Sequence, residues 1–206
     1  MNKIILGVAS AALVATFATA AMSAASDDTK ITITGTAENV CRVGGVAASD
    51  PTASAVTNIT STTLDNDAST LTITDFIVDA TAILNDAVAT LTYADSYCNY
   101  AHNISMSAAN GGLDHDGVVA VTGGTFTQHV NYTAVATMGT QSNTLTLAET
   151  TTTVHGATAV KSTATAVAGA NRAALTVAID IDQSPTDPVL AGVYTDTLCI
   201  QIGAAL

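Results

Sequence analysis

Positive charge is what this sequence most lacks. Five Lys and Arg stand against 17 Asp and Glu, giving a formal net charge of −12 at pH 7. Neutralising phosphates takes clustered Lys and Arg, so the balance argues against nucleic acid or anionic lipid as a partner. Catalytic signatures are missing as well. No GxSxG, HExxH, GxxxxGK or Gly-rich dinucleotide turn occurs, which removes the commonest hydrolase, metalloprotease and nucleotide-binding chemistries. There is no CxxC, and the four histidines (His102, His115, His129 and His155) are scattered, so neither a metal nor a cofactor is expected. Beyond the N-terminus no stretch is apolar enough to span a bilayer. No internal repeat and no linker divides the chain.

What is present begins with an export signal. Lys3 carries the only side-chain charge before Asp27, and an apolar, small-residue run follows from Ile4 to about Ala21. Ser23-Ala24-Ala25 then supplies small residues at positions −3 and −1 of a cleavage site. Residues 1–25 therefore read as a signal peptide, with cleavage after Ala20 as the alternative. A retained membrane anchor is the weaker reading, because the run is alanine-rich and barely reaches the roughly 20 residues a bilayer requires. Cleavage removes Lys3 and leaves Lys30, Arg42, Lys161 and Arg172 as the cations, moving the formal charge from −12 to −13. The remaining chain, about 180 residues, suits one domain with a sizeable core.

Few Lys and Glu, much Thr and Val, and Gly or Asn punctuation favour pleated, half-buried strands over exposed helices. The dominant period is two. Thr29 to Ala37 places Ile31, Ile33, Gly35 and Ala37 on one face and Thr32, Thr34 and Thr36 on the other. The same alternation marks Leu71–Thr74, Ala89–Tyr93, Ile104–Ala108, Val130–Ala136, Leu145–Leu147, Leu175–Ile181 and Leu198–Ile202. Turn signals fall between them, among them Gly44-Gly45, Asn110-Gly111-Gly112 and Asp187-Pro188. Short strands with regular punctuation predict an all-β sandwich. Ala47 to Thr63, rich in Ser, Thr and Ala, is expected as a long connection or a ragged edge strand. Ala157 to Ala174 has the alanine for a helix, but its Thr and Val push it toward strand or loop.

In an oxidising compartment two of Cys41, Cys98 and Cys199 should pair, and the sequence leaves three pairings open. Joining Cys41 to Cys98 would close a loop that the chain-entropy relation values at roughly 4 kcal/mol. Among carboxylates, Asp114-His115-Asp116 is the most site-like triplet. It follows Asn110-Gly111-Gly112 and is expected as a solvated turn; if extended, the two Asp share a face and His115 looks away. Asp180 and Asp182 could flank one strand face, without the spacing of a calcium loop. Asn58, Asn103 and Asn131 open glycosylation sequons of a kind common by chance in Asn- and Thr-rich chains.

Three segments taken together carry a resemblance. They are Ala37-Glu38-Asn39-Val40-Cys41-Arg42-Val43, the central Tyr97-Cys98-Asn99-Tyr100, and the closing Ala191-Gly192-Val193-Tyr194-Thr195-Asp196-Thr197-Leu198. The chain resembles the spore-coat-protein-U (secreted pilin) family, subunits of archaic chaperone–usher pili. The Ala191, Gly192, Tyr194 and Asp196 pattern is its most specific element, and the motifs cover about a third of the mature length.

The resemblance implies an immunoglobulin-like β-sandwich over 38–206, incomplete by one strand. A periplasmic chaperone and then an outer-membrane usher would handle it, and neighbouring copies would complete it by donor-strand exchange. Residues 26–37 would be the donor extension, with Ile31 and Ile33 as the main groove-filling side chains beside Gly35 and Ala37. The disulfide expected is Cys41–Cys98. Cys199 stands where the family usually has an apolar residue, as an unpaired thiol that is either buried or available for an intermolecular crosslink. The implied function is a structural subunit of a surface pilus supporting adhesion or biofilm formation, exported through the periplasm, and not an enzyme; a lone domain without a separate binding module leans toward the shaft. Two other readings stay open: a non-polymerising coat or adhesive protein that pairs its own first strand, and an exported binding protein or enzyme using Asp114/Asp116 or Asp180/Asp182.

Overall fold

The structure, a computed structural model, describes residues 32–44, 52–65, 68–117, 124–147, 159–181 and 188–203. The chain divides into two compact units, Met1–Ala37 and Glu38–Leu206. Of the first unit, residues 32–37 are described; all are exposed, Ile33 at 85%, and none belongs to a strand. The strand expected from Thr29 to Ala37 is thus absent over 32–37, while Ile31 lies outside the described residues. The physical reason is that alternation alone does not make a strand; a ladder partner must take up its amides and carbonyls.

The second unit contains strands and no helix among its described residues. In chain order these are β1 (Cys41–Arg42), β2 (Thr52–Thr57), β3 (Ile59–Thr63), β4 (Thr70–Ile73), β5 (Ile77–Val78), β6 (Ile83–Leu84) and β7 (Ala87–Tyr93). There follow β8 (Tyr97–Cys98), β9 (His102–Ala108), β10 (Leu113–His115), β11 (His129–Val130), β12 (Thr133–Met138) and β13 (Gln141–Thr146). The last are β14 (Val160–Lys161), β15 (Thr165–Val167), β16 (Asn171–Arg172), β17 (Leu175–Ile181), β18 (Tyr194–Thr195) and β19 (Leu198–Gly203).

These strands build a β-sandwich. One sheet runs β13-β12-β17-β7-β2, and the other centres on β9, with β19 on one side and β14 and β15 on the other. Among the described residues every ladder is antiparallel, with one isolated parallel bridge between Thr127 and Val189. The inner faces follow from period two: in β7 Ala87, Ala89, Leu91 and Tyr93 are buried while the residues between are half-exposed, and β12 alternates the same way. Fully buried alanines (Ala87, Ala89, Ala134 and Ala136) in one sheet leave room for Ile104 and Met106 of β9 in the other. The β12–β13 hairpin turns through Gly139-Thr140, pairing Met138 with Gln141, and Gly139 supplies the positive φ of 64°.

The remaining expectations resolve unevenly. Ala47 to Thr63 includes a ragged edge strand, since β2 carries a register shift between Ser54 and Thr57. From 159 onward, the alanine-rich stretch is three short strands rather than a helix. Asp114 and His115 overturn the solvated-turn expectation: both lie in β10 and are 4% and 3% exposed, and only Asp116 faces solvent. Their burial is possible because each meets a polar partner, as described below.

Candidate functional site

The disulfide Cys41–Cys98 links β1 to β8 with the two cysteines directly opposite in the ladder. Asn99, next in the chain, clamps the segment that leads into β1. Its Oδ1 accepts from Val40 N–H at 2.7 Å, its Nδ2 donates to Glu38 O at 2.8 Å, and its own N–H donates to Val40 O at 3.0 Å. The root of the N-terminal extension is therefore fixed at residues 38–41. That root stands at the C-terminal end of β19, where a Cβ on Gly203 would meet Cys41 Sγ at 3.8 Å and Tyr100 Oη at 3.6 Å.

β19 is the last strand of its sheet and, among the described residues, pairs with β9 alone. Among the described residues, the other edges of the two main sheets are blunted. β2 carries its register shift, and the β14–β15 side is broken at residues 162–164. The β13 edge is tied to β15: Asn143 Nδ2 donates to Thr163 O (2.6 Å) and Thr165 Oγ1 (3.1 Å), and Thr165 Oγ1 donates to Ser142 O (3.1 Å). In contrast, β19 reads Leu-Cys-Ile-Gln-Ile-Gly, with six register pairs, no charge, no proline and no bulge. Such an edge is a template for another strand.

The ladder also shows which amides face outward. Ala109 N–H donates to Thr197 O at 2.9 Å, and Met106 bonds Ser162 on the far side of β9. Alternation then turns Cys199, Gln201 and Gly203 toward β9, and the amides of Leu198, Ile200 and Ile202 toward the free edge. The side chains of Leu198 and Ile200 are half-buried against the core and Ile202 is buried. Cys199 points to the outer face as an exposed, unpaired thiol, which removes the buried alternative.

The closing motif fastens β18 and β19 to the rest of the sandwich. Gly192 lies against the His115 ring so closely that a side chain there would collide with it. His115 Nε2–H donates to Ala191 O at 3.1 Å. Tyr194 packs between Phe76 and His115, with ring centroids at 4.9 and 5.2 Å, and its hydroxyl lies 2.8 Å from Thr127 O and 2.9 Å from Leu190 O. Burial pushes the Tyr194 phenol up to about 12, the bond to Leu190 opposing and the Asp114 and Asp116 charges reinforcing it. Asp196 Oδ2 accepts from Tyr132 O–H at 2.8 Å, while Oδ1 accepts the N–H groups of Asn110 (2.8 Å) and Thr197 (2.7 Å). Burial first, then the bond to Asp196 and its charge, raise the Tyr132 phenol well above its ordinary range.

Asp114 pairs inside with His129, whose Nδ1 lies 3.2 Å from Asp114 Oδ1 and whose Nε2 lies 3.2 Å from Gly111 O. Gly112, at φ 152°, leaves no room for a side chain beside the His129 ring and Val130 O. Sequence reasoning missed His129 and Tyr132, because nothing local signals partners 15 and 64 residues away. Asp180 is exposed in β17, and Asp182 lies outside the described residues. Among the described residues no three His, Cys, Asp or Glu side chains converge as a metal set. Asn58 is a turn plug: its side chain bonds Asp75 O, Asp86 O, Thr74 Oγ1 and Asp75 N. No family model, curated protein or solved structure matches the chain.

Proposed function

We propose that this chain is a structural subunit of a surface filament of the chaperone–usher kind, in which each copy lends residues 26–37 to the free edge of β19 in the next. The observation that carries this reading is the contrast between the described edges of the two main sheets: β19 is apolar, regular and unblunted where the others are not, and the 32–37 segment belongs to no strand and exposes Ile33. The added strand would take up the outward amides of Leu198, Ile200 and Ile202, and its alternate side chains would set the register. Each apolar side chain buried this way contributes roughly 1.5–3 kcal/mol. Head-to-tail addition of this type grows open filaments rather than closed rings. The incomplete immunoglobulin-like description, the periplasmic chaperone and outer-membrane usher, and export to the surface belong to the same reading and rest on the resemblance of the three motif segments.

The test is a denaturing gel of the secreted protein with and without boiling, in reductant. A multimer ladder that survives detergent at room temperature and collapses on boiling supports strand donation. A single monomer band in both lanes would instead favour a self-complete coat or adhesive domain.

A further inference from the structure

We propose that the cross-strand row Arg42–Tyr97–Arg172 is a binding site for an acidic sugar residue, a hexuronate within an anionic polysaccharide. In the small sheet β1-β8-β16, Tyr97 stands directly opposite Arg42 on one side and Arg172 on the other. Directly opposite residues share a face with Cβ atoms about 5 Å apart, so both arginines stand on the same face as Tyr97, one on each side of it. In a chain with five Lys and Arg and a net charge of −12, this concentrates two of the three cations among the described residues on one tyrosine. An acidic polymer approaching most of the surface meets like charge; here it meets two arginines on one sheet face.

On the β16 side of the row lies an open depression of about 440 Å³, lined by Tyr97, Cys98, Asn99, Ala170, Asn171 and Arg172, with Arg42 one strand away on β1. That is the scale of a small-ligand site, with room for a sugar ring. Tyr97 offers an apolar ring face for the sugar's C–H groups, and a guanidinium fork matches a carboxylate in two parallel hydrogen bonds. A protein carboxylate needs no hollow of that size, and a phosphate makes no use of the aromatic face. The combination therefore favours a carboxylated sugar.

The backbone of the site is held still while its charged side chains are loosely held. On the opposite face of the row, Cys41 is bonded to Cys98, and Asn171 Nδ2 donates to Met138 O at 3.2 Å. Ala173 N–H donates to Ser96 O at 3.0 Å. Among the described residues Arg172 meets a distant carboxylate oxygen, Asp95 Oδ1 at 3.7 Å, and both side chains are more than 70% exposed. A bound carboxylate takes the place of Asp95 without a buried contact being lost. One such site binds weakly, and repetition of the subunit along a filament would multiply it.

Binding of the full-length protein to immobilised polygalacturonate at low ionic strength tests the proposal, with dextran as the neutral polymer and polyphosphate as the polyanion without sugar. The wild type is expected to bind polygalacturonate in preference to both. The R42Q/R172Q double variant is expected to bind about tenfold or more weakly. D95N, which frees Arg172 and removes a competing charge, is expected to bind more tightly. No binding to polygalacturonate, equal binding to polyphosphate, or unchanged binding in both variants would overturn it.

Discussion

Gly192 is the clearest single-residue constraint in the molecule. A methyl group there would enter the His115 ring, and that ring cannot swing aside freely, because it is bonded to Ala191 O and to the backbone of Gly117. Gly192→Ala is expected to destabilise the domain by about 1–3 kcal/mol in urea unfolding, and His115→Ala in the same chain should recover part of the loss. An unchanged midpoint would mean that the ring is not held. The two tyrosines give a pH signature of their own. Both phenols are raised in the folded chain, so folding favours the protonated form, and the associated stability is fully present below about pH 10. Stability should then fall as pH rises through the window from 10 to about 12 set by Tyr194, and Tyr132, raised further, extends the loss beyond it. Tyr132→Phe with Tyr194→Phe should flatten the alkaline limb of a stability–pH curve, measured by denaturant midpoints. This layer was barely legible in the sequence. Asp114 and His115 sit in a triplet that looks solvated, and what packs against them is His129 of β11 and Gly192 in the bend before β18, both distant in the chain.

At the scale of the element, legibility followed burial. β7, β9, β17 and β19 were readable because one face of each is packed and the alternation of side chains records it. The 32–37 segment shows the opposite: its alternation is as clean, yet it belongs to no strand in this chain. A period-two pattern without a ladder is what a strand meant for another partner would carry, and sequence alone cannot distinguish the two cases. Within β19, Cys199 points away from the core, so the proposed strand addition would rest on the backbone and on Leu198, Ile200 and Ile202. Cys199→Ser is therefore expected to leave the boiling-sensitive ladder intact, and reductant is expected to leave it intact as well. A ladder lost in either condition would move the assembly contact from main-chain pairing to a crosslink.

For the molecule as a whole, the Cys41–Cys98 bond ties the root of the extension to the sandwich across a sequence separation of 57 residues. Cys41→Ala with Cys98→Ala is expected to cost about 4 kcal/mol, read as a lower urea midpoint against the wild type. An all-β sandwich and an acidic chain poor in cations were legible from composition and period. The residues by themselves left three cysteine pairings open; Cys41–Cys98, the pair expected from the motif resemblance, is the one formed, because the antiparallel register brings β1 beside β8. The paired edge of β9 and the free edge of β19 likewise exist only once the sheet is assembled.

The most direct test is amide hydrogen exchange along β19, comparing assembled wild-type material with the Ile33→Asp variant. Ile33→Asp places a charge where an apolar side chain is to be buried, and is expected to yield monomer. Strand donation predicts that the amides of Leu198, Ile200 and Ile202 exchange readily in the monomer and become protected on assembly. Those of Cys199 and Gln201, already bonded to β9, should be protected in both. If the three outward amides exchange equally fast in the two samples, or Ile33→Asp assembles like the wild type, the β19 edge is not where copies of this protein join.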